Sequence, residues 1–225
     1  MEEKKIVKFK KDEFTIKEYV RNTLGKGKVS KVRIEYAPTG ERIIISTAKP
    51  GLIIGRKGEK IEELTKVLKT KFGLENPRTE IEEIKKPEFD AQVMADEIAL
   101  SIEKFGPLKF KVIAYKSLQK IMDAGALGAE IRLSGKLPSS RAKTWRFAQG
   151  YLKKTGDSAK VVDRAQSRAE TKPGTVGVKV SILSPESILT DKIDINEKMI
   201  NEIKKNLETK EEEIKPKKRS KTNKK

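Results

Sequence analysis

Two glycines, Gly55 and Gly58, bracket Arg56 and Lys57 in the segment of this 225-residue chain best suited to chemistry. Lacking Cβ atoms, both glycines let the backbone come close to a ligand. Arg56 and Lys57 supply positive charge, and Lys60 lies just beyond them. The helix expected next turns its first N–H groups toward the same spot. These features suit the sugar-phosphate backbone of a single strand, with its bases in an adjacent apolar groove. A bare Gly-x-x-Gly is commonly only a turn, so its surroundings decide. Here the apolar turn Leu52-Ile-Ile54 precedes it and an amphipathic segment follows. A nucleotide-binding P-loop fits poorly, because Gly58 stands where Ser or Thr must reach magnesium, and the G-x-G-x-x-G spacing is absent.

Other chemistries find little support. The chain has no Cys and no His, which removes zinc fingers, thiol nucleophiles and histidine acid–base catalysis. Carboxylates cluster only at Glu80, Glu82 and Glu83 and at Asp96 and Glu97, a meagre basis for a metal-dependent nuclease. The expectation is a protein that is not an enzyme and needs no cofactor or metal. Lys and Arg number 51 against 33 Asp and Glu, a formal net charge of +18 that calls for a polyanionic partner. No apolar stretch approaches the roughly 20 residues of a membrane span, and the charged N-terminus lacks a signal-peptide pattern. Nucleic acid is thus favoured over a membrane, and a cytoplasmic setting fits the absence of Cys. Aromatics make up only 5% of residues, so phosphate contacts should outweigh base stacking.

The elements that must position these groups follow from periodicity. A helix is expected from Asp12, as N-cap, to Leu24, ending at Gly25 and Gly27. Val29 to Tyr36 and Arg42 to Thr47 read as a hairpin across the Ala37–Gly40 turn. After the Gly55–Gly58 loop, Ile61, Leu64, Val67, Leu68 and Phe72 mark a helix closed by Gly73. Thr79 to Lys85 alternates as a third strand. Helices are next expected from Phe89 to Phe105, with an inner stripe of Met94, Ile98, Ile102 and Phe105, and from Leu108 to Asp123. Strands follow around Ile131 and Leu133, at Lys143 to Leu152, at Val161 to Ala169, and from Val176 to Ile182. The implied fold is α+β. Residues 1–87 form a three-stranded sheet with helices on one face, and residues 88–187 a two-layer α/β domain with a mostly antiparallel sheet. Residues 188–225 form a charged tail, expected to be disordered.

Gly51-Leu-Ile-Ile-Gly-Arg-Lys-Gly58 resembles the loop of KH domains, and the element order is that of the type II version. The likeness continues through Pro87-Glu-Phe-Asp-Ala-Gln-Val-Met-Ala95, Ala124-Gly-Ala-Leu-Gly-Ala-Glu-Ile131, Leu133-Ser-Gly-Lys-Leu137, Arg141-Ala-Lys143 and Gly174-Thr-Val-Gly-Val-Lys-Val180. Together these segments are similar to the family of the third small-subunit ribosomal protein, in its archaeal and eukaryotic form. The likeness spans roughly Phe14 to Ser184.

That resemblance implies a structural constituent of the small ribosomal subunit. Such proteins bind rRNA in the subunit head and line the channel where mRNA enters, beside small-subunit proteins ten and fourteen. Some members help unwind mRNA through basic residues at the start of the second domain's second helix. Here that stretch is Lys109-Phe-Lys-Val-Ile-Ala-Tyr-Lys116, in which Lys111 matches but Val112 and Tyr115 replace basic residues. Lys109, Lys116 and Lys120 share a helical face that can compensate, or that is simply a solvated lysine face. A further basic group, Lys136, Arg141, Lys143 and Arg146, flanks a turn near Trp145, and rRNA contact is expected there. Trp145 itself reads as core rather than a stacking platform, and Arg164 and Arg168 stay ambiguous. The alternatives are a free-standing KH regulator or RNA chaperone, the KH domain of a GTPase, and, from another class, the nuclease.

Overall fold

A computed structural model of the chain describes residues 2–37, 40–74 and 76–189. The tail expected at 188–225 therefore lies almost wholly outside the described residues. The N-terminal half runs α1 (Glu2–Leu24), β1 (Lys31–Ala37), β2 (Gly40–Thr47), α2 (Pro50–Ile54), α3 (Glu59–Phe72) and β3 (Arg78–Glu83). Its sheet has the order β1-β2-β3, with β1 antiparallel and β3 parallel to β2. The parallel pair needs a crossover, and α2 with α3 supplies it. Ile16, Val20 and Leu24 of α1 and Leu64 and Leu68 of α3 close over Val32, Ile43 and Ile45 of the sheet. Outward residues of the same strands, such as Arg33, Arg42 and Glu80, are exposed, as the period of two requires.

The helix α1 starts well before the expected Asp12, which sits exposed in mid-helix rather than as a cap. Two causes are visible. Residues 2–11 are mostly Glu and Lys, good helix formers. The buried Glu13 also receives Lys10 and Lys17 from the turns on either side. That carboxyl is held below its ordinary range, first by the Lys10 hydrogen bond and then by that of Lys17.

The second half runs α4 (Ala91–Phe105), α5 (Phe110–Asp123), β4 (Gly128–Gly135), β5 (Lys143–Gly150), β6 (Asp163–Thr171) and β7 (Gly174–Leu183). Its sheet, order β5-β4-β7-β6, is antiparallel throughout rather than mostly so. The carboxylate of Asp90 caps α4 by accepting from the N–H groups of Gln92 and Val93. Helix α4 packs on β6 and β7, and α5 on β4 and β5. Met94, Ile98, Ile102, Phe110, Leu118 and Ile121 meet Ile131, Leu133, Val178, Val180 and Ile182 there. The expected stripe of α4 is corrected at its last member: Phe105 is 54% exposed. Gly106, at φ 82°, ends the helix and Pro107 opens the next turn, so Phe105 is the last residue of α4. The ammonium groups of Lys104 and Lys109 lie over the Phe105 ring instead.

Polar contacts tie the halves. The Gly27 N–H donates to Asp96 at 2.9 Å, and the Ser30 hydroxyl donates to Asp90. Lys26 pairs with Glu103 at 3.0 Å and Lys31 with Asp163 at 3.3 Å.

Candidate nucleic-acid interface

The Gly55–Gly58 loop is fixed from both sides. Thr47, at the end of β2, is buried, donates to the Lys28 carbonyl, and accepts the Lys49 N–H at 3.0 Å. Pro50 opens α2 with a ring already set for helix, and Ile53 is fully buried in the N-terminal core. The Gly55 N–H then donates to the Gly51 carbonyl at 3.2 Å. Gly55, Lys57 and Gly58 adopt φ of 74°, 53° and 84°, so three of the four loop residues are left-handed. Gly takes this at no steric cost, whereas Lys57 pays for it. The turn leaves both Arg56 and Lys57 exposed. A Cβ at Gly55 would come within 2.9 Å of Lys60 Cγ, so the Lys60 stem lies against the loop and brings its charge there.

No side chain caps α3 at Gly58; the first of its N–H groups, that of Glu59, is donated to the Arg56 carbonyl. Glu59 and Glu62 in that first turn offset part of the positive helix end, a feature the sequence reading omitted. Leu52 and Ile54, both exposed, supply apolar surface next to the loop. Arg56, Lys57 and Lys60 are thus all exposed on or beside the glycine-bracketed turn, the kind of cationic surface that suits phosphate.

The lysines around α5 are more dispersed in role. Lys120 is engaged by Glu97 at 3.1 Å, and Lys111 lies over the Trp145 ring at 4.8 Å. Lys109 precedes α5 beside Phe105, and Lys116 is exposed. Exposed Leu108, Val112 and Tyr115 interleave with them. Trp145 is core on one side, 5.4 Å from Phe110 with its indole N–H donated to the Leu137 carbonyl at 3.1 Å. Lys136, Arg141, Lys143 and Arg146 are all exposed, and Arg146 also enters a cluster that the sequence reading missed.

Its centre is Glu130 on β4, 3% exposed. The carboxylate accepts from Arg132 Nε, from Arg146 through Nε and Nη2 at 3.2 Å each, and from Lys154 Nζ at 2.8 Å. Burial works to raise its pKa, but the bonds from Lys154, Arg132 and Arg146 outweigh it and hold the group at about 2. Arg132, Lys154, Arg164 and Lys179 line a hollow of about 260 Å³ over Glu130. The signal was present in the alternation, with Arg132 between Ile131 and Leu133 and Lys179 between Val178 and Val180. It becomes a cluster only once β4 is known to pair with both β5 and β7.

The carboxylates considered for a nuclease are spread over structural partners. Glu80 pairs with Arg42 at 3.1 Å, Glu82 accepts from Ser46, and Asp96 accepts from Gly27 and Gln92. Among the described residues no group of three or more acidic side chains is placed to hold a metal ion, and no helix is long and apolar enough to cross a membrane.

A type II KH-like half with a glycine-bracketed basic loop, joined to helices on an antiparallel sheet, defines a class of RNA-binding protein. The family description "KH domain" matches residues 15–89, and "Ribosomal protein S3, C-terminal domain" matches residues 98–182. The chain is 39% identical over 198 residues to small ribosomal subunit protein uS3 of Methanocaldococcus jannaschii, covering 88% of this chain and 94% of that one. The Saccharolobus solfataricus uS3 is 41% identical over 196 residues, covering 87% and 82%, and that of Methanosphaera stadtmanae 36% over 204 residues, covering 90% and 80%. The chain belongs to the uS3 family of small-subunit ribosomal proteins, in agreement with the resemblance read from its segments.

Proposed function

We propose that the chain is built into the head of the small ribosomal subunit, where it binds rRNA and lines the channel through which mRNA enters during translation. The observation that carries this reading is that likeness to uS3 extends over both halves, while the KH loop presents its cations outward. Gly55, Arg56, Lys57, Gly58 and Lys60 take the backbone of a single RNA strand. Lys136, Arg141, Lys143 and Arg146 reach rRNA beside the β4–β5 connection. Lys109, Lys111, Lys116 and Lys120 face mRNA, although the Glu97 pair and the interleaved apolar residues weaken that arm. Small-subunit proteins ten and fourteen are its neighbours, in the cytoplasm. Residues 1–87 and 88–187 act as the two RNA-facing domains, and 188–225 as a basic extension.

Sucrose-gradient fractionation of native lysate, with the chain followed by mass spectrometry, tests the reading. Co-sedimentation with small subunits, persisting through a moderate salt wash, is the expected result. Recovery only at the top of the gradient would leave a free KH protein and overturn the proposal.

A further inference from the structure

We propose that the outer face of the four-stranded sheet is a further RNA surface, which takes the phosphate backbone of a double-helical segment, with Glu130 as the residue that positions its cations. The inference rests on the reading of the chain as an RNA-binding subunit protein, but it concerns a different surface from the KH loop.

One face of the sheet is filled by α4 and α5. On the other face the register sets Arg146 of β5 opposite Arg132 of β4, and Arg132 opposite Lys179 of β7. Arg164 of β6 lies opposite Ser181, one position along β7 from the covered Val180 and Ile182. Like charges in direct cross-strand positions destabilise a sheet. Three strands that stack them in one row need an anion. Among the described residues they receive one carboxylate, Glu130, set among Arg132, Arg146, Lys154, Arg164 and Lys179. Arg164 and Lys179 share the hollow but do not bond to Glu130.

The chemistry of the face selects its partner. Guanidinium groups match phosphate in two-pronged geometry. Neighbouring strands lie about 4.8 Å apart, so Arg146 and Lys179 are separated by about 10 Å, wide enough to address more than one phosphate. The remaining outward residues include Thr144, Ser134, Gln166 and Ser181, none aromatic, so bases find nothing to stack on. A flat, cationic, ring-free surface contacts backbone and shape, the mode used for A-form duplexes, whereas unstacked single strands favour aromatic platforms. Glu130 holds three of the cations in fixed positions before RNA arrives, which lowers the ordering cost of binding.

The test uses the full chain and fluorescence anisotropy with two labelled probes, a blunt RNA hairpin and an oligouridylate. Arg164→Ala with Lys179→Ala should weaken hairpin binding about tenfold and reduce the slope of log affinity against log salt by roughly two, with oligouridylate binding little changed. Arg56→Ala with Lys57→Ala should do the reverse. Unchanged hairpin affinity and slope in the sheet variant, with oligouridylate still weakened by the loop variant, would overturn the sheet surface and leave the KH reading intact. If neither variant alters either probe, the sheet surface and the assignment of Arg56 and Lys57 to a single strand both fail. A sheet variant that weakens only oligouridylate would overturn the duplex assignment. Glu130→Gln removes a negative charge, so simple electrostatics tightens hairpin binding, whereas a positioning role loosens it several-fold. Tighter binding would overturn that role.

Discussion

At Glu130 a single side chain shows why residue type alone misleads. An acidic residue on a strand of a strongly basic protein reads as a solvated exception. The structure buries it among three cations, where leaving it out would set Arg132 against Arg146 with nothing between. Its carboxyl is held near 2, well below the ordinary 4.5, so the folded state binds fewer protons than the unfolded state. The stabilisation is therefore fully present above about pH 4.5 and is lost as pH falls toward about 2. The full shift corresponds to about 3 kcal/mol, and screening of the half-exposed cations lowers this to about 2 kcal/mol. Urea unfolding followed from about pH 5 down to about pH 2 should show this acid-sensitive component in the parent and lose it in Glu130→Gln. An identical pH profile for the two proteins would mean that the cluster adds nothing to stability.

Elements were the most legible scale. Every strand, and every long helix except the start of α1, lies where apolar periodicity puts it, within a few residues, because each buries one face and the pattern of buried positions is set by backbone geometry. The misses have local causes. The first turns of α1 lack apolar periodicity and are held by helix propensity and by the Glu13 ion pairs, so a search for apolar spacing starts the helix at Asp12. Phe105 keeps the spacing of its stripe but is the last residue of α4 and is left exposed. This separates two substitutions on α4. Ile98→Ala leaves a cavity in the second core and should cost about 3 kcal/mol. Phe105→Ala should stay within about 0.5 kcal/mol. Denaturant midpoints of the two variants measure the difference directly, and equal losses would place Phe105 in the core after all. The candidate site was legible in proportion to how local it is. The Gly55–Gly58 loop is contiguous and can be read as a candidate from sequence, whereas the Glu130 cluster draws on four strands and the segment after β5, and needed the strand order.

Across the described residues, two separate apolar cores are tied by directional polar contacts, with Leu100 of α4 lying close to Gly27. Asp96 is 6% exposed and accepts the Gly27 N–H, and Ser30 is 1% exposed beneath Asp90. Asp96→Ala strands the Gly27 donor and should cost about 1–3 kcal/mol. Amide hydrogen exchange should then speed up at Gly27 while Ile43 and Ile45, inside the first core, keep their protection. Uniform acceleration across both cores would show that the halves do not open separately. The order of residues along the chain gives the same arrangement a temporal meaning. Everything that closes the first core lies between Ile16 and Ile81, and everything that closes the second comes after it. During synthesis the first core can therefore shut before the second exists, with the Gly27 amide and the Ser30 hydroxyl still wet. They exchange water for aspartate once Asp90 and Asp96 emerge, at the start of the second half, so this small polar seam can be set before the strands that complete the second core have been made.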